Sequence, residues 1–211
     1  MTSAISAEQA TEKAATDADV EAKEITRAYG AGEPAVRALN GCSVDVDRAQ
    51  LTAVMGPSGS GKSTIMHILA GLDYPTEGSV SVEGADITKL NDNELTKLRR
   101  EHIGFIFQFF SLLPMVAAEE NIRLPLELAG GKIDKEWLDE VIKRTGLDDR
   151  RAHRPSELSG GQQQRVAIAR ALASKPTVIF ADEPTANLDS PRAERSSTSS
   201  ATWSRTSDRR S

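Results

Sequence analysis

Two glycine-rich strings that each open a helix, and one apolar run that ends in paired carboxylates, are the parts of this sequence equipped for chemistry. The first string is Gly56-Pro57-Ser58-Gly59-Ser60-Gly61-Lys62-Ser63-Thr64, a G-x-x-x-x-G-K-[ST] pattern. Glycines at these positions let successive backbone N–H groups turn toward one point, and the start of the following helix adds its positive end. The ligand such a loop takes is a polyphosphate. Lys62 adds a cation at the terminal phosphates, and Ser63 offers a hydroxyl to Mg²⁺. The apolar run is Val178-Ile179-Phe180-Ala181, closed by Asp182 and Glu183. Beside a phosphate loop, Asp182 is suited to hold Mg²⁺ and Glu183 to orient and polarise an attacking water, because phosphoryl transfer needs positioning more than covalent chemistry.

The second string is Leu158-Ser159-Gly160-Gly161-Gln162, heading the helix that contains Arg165 and Arg170. It is another glycine-rich helix N-terminus, hence another anion site. The first loop already holds a nucleotide, so this one is expected to reach for a phosphate on a second copy. A dimer with two shared nucleotides follows. An ordinary Ser N-cap is the alternative.

These strings need elements to position them. Leu51 to Met55 is a short apolar run ending at Gly56 and reads as a buried strand, with Ile65 to Ala70 as the helix that follows it. Cys42, Val44 and Val46 alternate with Ser43 and Asp45 at the period of a strand, and Ser79 to Glu83 alternates again. Asn91 with Glu94 forms an N-cap box before a helix carrying Leu95 and Leu98, and Ile103 to Phe107 reads as a strand. Between Asp134 and Thr145, Trp137, Leu138, Val141 and Ile142 make one apolar stripe, capped by Asp134 and stopped at Gly146. Gln162 to Ala173 is a second helix, followed by the buried strand Val178 to Ala181.

Composition bounds the rest. The chain has 211 residues, 26 Lys and Arg against 31 Asp and Glu, and a net charge of −5, which gives no basic field for nucleic acid. Cys42 is the single cysteine, so no internal disulfide and no multi-thiolate zinc site can form, and a reducing compartment is expected. No apolar run reaches the length of a membrane span, and the start carries Glu8, Glu12, Asp17 and Asp19 instead of a signal sequence. Residues 1–22, with almost nothing large and apolar, read as a disordered tail. Residues 191–211 contain no Val, Leu, Ile, Met or Phe and are expected to supply no core strand or helix.

Taken together, the strings resemble the ATP-binding subunit of ATP-binding-cassette transporters, with Walker A at Gly56, the signature at Leu158–Gln162 and Walker B at Asp182-Glu183 in that family's order. The resemblance implies ATP and Mg²⁺ as cofactors. It makes Gln108, in Phe107-Gln108-Phe109, the glutamine that touches Mg²⁺ and senses the γ-phosphate. It makes Asn187-Leu188-Asp189-Ser190 the D-loop and Tyr29 the ring stacked on adenine. Ala70-Gly71-Leu72-Asp73, Asp86-Ile87-Thr88, Leu98-Arg99-Arg100, Ile103–Gln108 and Leu112-Leu113-Pro114 resemble the macrolide-export and lipoprotein-release branch. By the same analogy Phe109, Phe110, Leu112 and Leu113 face a membrane subunit, a buried core being the alternative.

The fold class implied is α/β: a P-loop sheet with an antiparallel β subdomain on the adenine side and a helical signature subdomain near Pro114 to Asp149, the C-terminal part of the fold missing. The domain is expected over residues 23–190. The function implied is an ATP-hydrolysing motor that pairs as a homodimer, or with another ATP-binding subunit, and drives an integral membrane permease from the cytoplasmic face of the cell membrane. A remnant that binds nucleotide or a partner without productive hydrolysis is the alternative. No histidine follows His153 to act as the switch, and His67, inside the P-loop helix, is read as a helix residue. Ala49 stands where a turn glycine is expected, a second departure from the family pattern. The Ser/Arg-rich end reads as a truncated or frame-shifted one. A chromosome or repair ATPase is set aside, because fewer than 100 residues without heptads separate Lys62 from Ser159.

Overall fold

The computed structural model describes residues 18–30, 36–130, 132–183 and the strand 199–204. In chain order the elements are β1 (Ala18–Tyr29), β2 (Val36–Asp47), β3 (Leu51–Met55), α1 (Lys62–Leu69), β4 (Glu77–Val82), β5 (Ala85–Asp86), α2 (Asp92–His102) and β6 (Ile103–Ile106). They continue with α3 (Ala118–Ala129), α4 (Lys135–Arg144), α5 (Gly160–Ala173), β7 (Val178–Ala181) and β8 (Ser199–Ser204), with single 3₁₀ turns between some of them.

Two four-stranded sheets form. One is antiparallel in the order β2-β1-β4-β5, the expected β subdomain. Its inner face carries Val20, Ile25, Val80 and Val82, packed on Ile65, Met66, Ile68 and Leu69 of α1 and on Phe180. Each such side chain removed from water stabilises by about 1.5–3 kcal/mol. β1 therefore begins at Ala18, with Val20 and Ala22 fully buried, several residues before the boundary near residue 22 that composition suggested. The physical reason is two-sided pairing: Val20 lies opposite Val46 on β2 and Val82 on β4, so two small apolar residues suffice to seat the strand.

The second sheet has the order β3-β8-β7-β6. β6 and β7 run parallel, while β8 is antiparallel to both β7 and β3. β3, β6 and β7 thus all point the same way, and their C-terminal ends lie along one sheet end. β8 corrects the expectation that residues 191–211 supply no strand. A strand is held through backbone hydrogen bonds on its two edges, which Ser, Ala and Thr provide as well as Val does, and Thr202 and Trp203 are favourable strand residues. β3 in turn is not buried as its apolar composition suggested: Leu51 is 60% and Met55 71% exposed. It is the last strand of its sheet among the described residues, so one side lacks a covering neighbour.

The helical subdomain matches its expected place. Ile122 of α3, Leu138, Val141 and Ile142 of α4, Leu147, and Val166 and Ala169 of α5 share one core. The Asn91–Glu94 capping box closes with Asn91 Oδ1 accepting from Glu94 N at 3.1 Å and Glu94 Oε2 accepting from Asn91 N at 3.0 Å. Asp134 caps α4 through Trp137 N at 3.0 Å, and Gly146 ends it with φ +66°. Ala49 does sit in the left-handed region, at φ 57°, in the turn between β2 and β3.

Candidate functional site

β3 delivers the chain into the phosphate loop at Met55, and α1 takes it away at Lys62. Gly59 and Gly61 have φ of +78° and +88°, the conformation that aims consecutive amides at one point. Gly61 is further fixed because a Cβ there would lie 2.5 Å from the Ala38 carbonyl oxygen, and one on Gly56 would lie 2.7 Å from Ser60 Oγ. Ser58, Gly59 and Ser60 form the exposed rim, and Thr64 occupies the first turn of α1. The first amides of α1 have no partner within the helix, so the loop presents donors to an anion. The buried Lys62 ammonium donates to the carbonyls of Gly56 at 3.0 Å and Pro57 at 2.9 Å. An ammonium has three donors, so these two bonds hold it over the loop and leave capacity for a phosphate oxygen.

The register of the second sheet assembles the remaining groups. Ile106 pairs with Ala181, so Gln108 and Glu183, each two residues further on, emerge at the same level. Gln108 Nε2 donates to Glu183 Oε2 at 2.7 Å. Asp182 N donates to the Ile106 carbonyl at 2.9 Å, which anchors the turn. Glu183 has φ +45°, a strained conformation for a side-chain-bearing residue and of the kind that gathers at reacting centres. Ser63 Oγ donates to Asp182 Oδ1 at 3.1 Å across 119 residues of sequence. A hydroxyl and a carboxylate converging this closely are the hard oxygen donors that suit Mg²⁺. The glycine cradle, Lys62 and this oxygen pair therefore fit a nucleotide with its metal.

The signature residues cap α5. Ser159 Oγ accepts from Gln162 N at 3.3 Å while Gln162 Oε1 accepts from Ser159 N at 2.8 Å. Gln163 Nε2 donates to the carbonyls of Pro155 and Leu158, tying the preceding turn to the helix. Gly160 lies exposed at the helix start and Gly161 follows it half-buried. Tyr29 closes β1 with 43% of its surface exposed. Asn187 to Ser190 lie outside the described residues.

Three residues have roles that reading the motifs does not assign. Arg170 donates to the carbonyls of Ser111 at 2.7 Å and Phe110 at 2.8 Å, and burial pushes its pKa below the usual guanidinium range. Asn121, fully buried, accepts from Leu113 N at 2.8 Å and donates to the Leu113, Val116 and Ala117 carbonyls. Together they staple the loop that leaves Gln108. Asn121 falls on the same face of α3 as Ala118 and Ile122, a polar residue in an apolar stripe, which is the signal that marks it. Asp73, the third, accepts from the Tyr29 hydroxyl at 2.9 Å. The run Phe109 to Leu113 divides between its two readings: Phe109 is 76% exposed, whereas Leu112 packs on the helical core. Beside it, a groove of about 590 Å³ runs between α2, β6, α3 and α5, with Phe105, Phe107, Leu124 and Leu128 on its walls.

Comparison with known proteins places the chain in a family. A family model described as ABC transporter matches residues 39–186. The lipoprotein-releasing system ATP-binding protein LolD of Alcanivorax borkumensis is 44% identical over 172 residues, 81% of this chain and 75% of that one. The macrolide export ATP-binding/permease protein MacB of Bdellovibrio bacteriovorus is 48% identical over 171 residues, which span 81% of this chain but 26% of that longer protein. A solved dimeric structure of the ATP-binding cassette MJ0796, in a post-hydrolysis state bound to ADP and Pi, superposes with a TM-score of 0.75 at 45% identity and covers 81% of this chain and 76% of that one.

The chain belongs to the ABC transporter family. It is an ABC-type ATPase domain with the P-loop α/β fold, consistent with the macrolide-export and lipoprotein-release branch. Among the described residues no helix is long and apolar enough to cross a membrane.

Proposed function

We propose that this chain is the motor subunit of a transporter, binding ATP with Mg²⁺ at Gly56–Thr64 and hydrolysing it in a dimer. The observation that carries the reading is the convergence of Ser63 on Asp182 and of Gln108 on Glu183 at one sheet end. Lys62 and the loop amides hold the phosphates. Ser63, Asp182 and Gln108 are the groups that would hold Mg²⁺, which when bound neutralises charge on the phosphate oxygens. Glu183 accepts a hydrogen bond from the attacking water and polarises it, and its bond to Gln108 keeps the carboxylate in line. Gln108 thereby links the hydrolytic carboxylate to the Phe109–Leu113 loop.

The second nucleotide contact comes from Ser159, Gly160, Gly161 and Gln162 of a second copy or of a paired ATP-binding subunit. Ser159 Oγ accepts from its own helix, which leaves its O–H proton to donate to a phosphate of the partner's nucleotide. The exposed Phe109 and the groove between α2 and α3 offer an apolar, arginine-rimmed surface for an integral membrane permease, which would hold the subunit at the inner face of the membrane. No nucleic acid is involved.

Titration with a fluorescent ATP analogue tests the loop. Lys62→Ala removes a charged hydrogen bond and is expected to weaken binding by roughly 10- to 100-fold; equal affinity in both proteins would exclude the loop as the site. Light scattering of Glu183→Gln with saturating ATP tests the shared site. A dimer is expected, and a persistent monomer would refute it.

A further inference from the structure

Asp73 lies just beyond the end of α1, where the chain folds back: Leu72 N and Asp73 N both donate to the His67 carbonyl, at 2.8 and 3.2 Å. Its carboxylate is divided between two partners on β1. Oδ2 accepts from the Tyr29 hydroxyl at 2.9 Å, and Oδ1 accepts from Arg27 Nη2 at 2.8 Å and from Tyr74 N at 2.8 Å. Arg27 and Tyr29 are two apart on a strand, hence on one face of it. The Arg27 guanidinium accordingly lies over the Tyr29 ring, its Cζ 4.6 Å from the centroid.

A tyrosine on a strand end ordinarily turns freely about χ1 and χ2, and an aromatic that stacks on a planar ligand loses that freedom on binding. Here the freedom is already removed. The hydroxyl is held at its tip by Asp73, and one face of the ring is covered by the guanidinium that Asp73 also holds. The opposite face is the one left for a flat ligand. The anchor is not on a neighbouring loop but on the segment that ends the P-loop helix, so ring and phosphate cradle belong to one packed unit.

We infer that Asp73, acting through Arg27 and Tyr29, is a positioning residue that sets which face of Tyr29 receives the nucleobase and fixes its distance from the phosphate loop. The inference rests on the reading of Tyr29 as the ring that stacks on adenine. Its consequence is a division of labour: Asp73 acts on the base-dependent part of affinity and leaves the phosphate-dependent part alone.

The experiment measures dissociation constants for Mg²⁺–ATP and Mg²⁺–tripolyphosphate by calorimetry in five proteins: wild type, Tyr29→Ala, Asp73→Ala, Asp73→Asn and the double variant Tyr29→Ala/Asp73→Ala, each checked for folding by thermal melting. Base stacking on an aromatic ring is strong enough that losing its alignment lowers affinity roughly tenfold. Asp73→Ala is therefore expected to weaken ATP by about that factor with tripolyphosphate unchanged, and Asp73→Asn, which keeps an acceptor for the tyrosine hydroxyl, to restore most of it. In the Tyr29→Ala background Asp73→Ala is expected to add nothing. Equal weakening of both ligands by Asp73→Ala would show a merely structural role and overturn the inference, as would unchanged affinity for both. If Tyr29→Ala itself leaves the ratio of the two affinities unchanged, the stacking reading fails and takes the inference with it. If Tyr29→Ala lowers the ratio and Asp73→Ala does not, the stacking reading stands and the positioning role alone is refuted.

Discussion

Gln108 and Glu183, 75 residues apart in sequence, meet at 2.7 Å because β6 and β7 are parallel and in a register that ends both strands at one level. The amide donates to one carboxylate oxygen, and the proposed role of Glu183 is to accept from the attacking water. Glu183→Gln keeps the shape and loses the base, so hydrolysis is expected to fall by about 10²–10⁴-fold while ATP affinity stays within a factor of a few. Phosphate release measured alongside nucleotide titration checks both. A variant that retained turnover would remove Glu183 from the hydrolytic step.

β8 lies between the strand that carries the phosphate loop and the strand that carries Asp182. Ala201 is paired on one side with Ala53 and on the other with Ala181. Ala201→Pro removes an N–H from a strand flanked on both sides and is expected to destabilise by about 1–3 kcal/mol. Amide hydrogen exchange in β3 and β7 should rise by an order of magnitude or more, with β1 and β4 little changed. Unaltered exchange in β3 and β7 would show that the pairing does not form in solution.

Ala49, at φ 57°, holds a conformation that costs an L-residue about 1–2 kcal/mol and glycine almost nothing. Glycine gives part of this back through the freedom it gains when unfolded. Ala49→Gly is expected to stabilise by about 0.5–1 kcal/mol, a rise in Tm of roughly 2 °C, with nucleotide affinity unchanged. Calorimetric melting decides the sign.

Asp134 joins two elements: Lys175 Nζ donates to its Oδ2 at 2.7 Å and Trp137 N to its Oδ1 at 3.0 Å. The lysine bond first, and the backbone bond second, hold its pKa below the usual carboxylate range. A folded-state value below the unfolded one gives stability that is complete above the unfolded pKa of about 3.9 and is lost as pH falls through the folded value. Asp134→Asn keeps the cap and removes the charge. Melting curves of the two proteins should differ above about pH 5 and converge as pH falls through the folded value; a gap that persisted at the lowest pH would assign the effect to packing.

The local parts were legible in the residues alone. Gly56–Thr64, Ser159–Gln162 and Asp182-Glu183 could be read because their chemistry is set by residues adjacent in the chain and by the strand or helix terminus they occupy. The same holds for the caps at Asn91 and Asp134, whose bonds span three residues. Burial periodicity likewise fixed α4 and β7, since a stripe or an apolar run reports which side meets a core. The rest depends on which distant elements meet and in what register. Packing of α1 and the turn after it brought Ser63 to Asp182 and Asp73 to the Tyr29 hydroxyl, and strand register brought Gln108 to Glu183. It also decided that the apolar β3 lies at a sheet edge and that the polar Ser199–Ser204 fills the place beside it. Strand order is chosen by backbone hydrogen bonds, which every residue but proline offers alike, so side-chain composition carries little record of it.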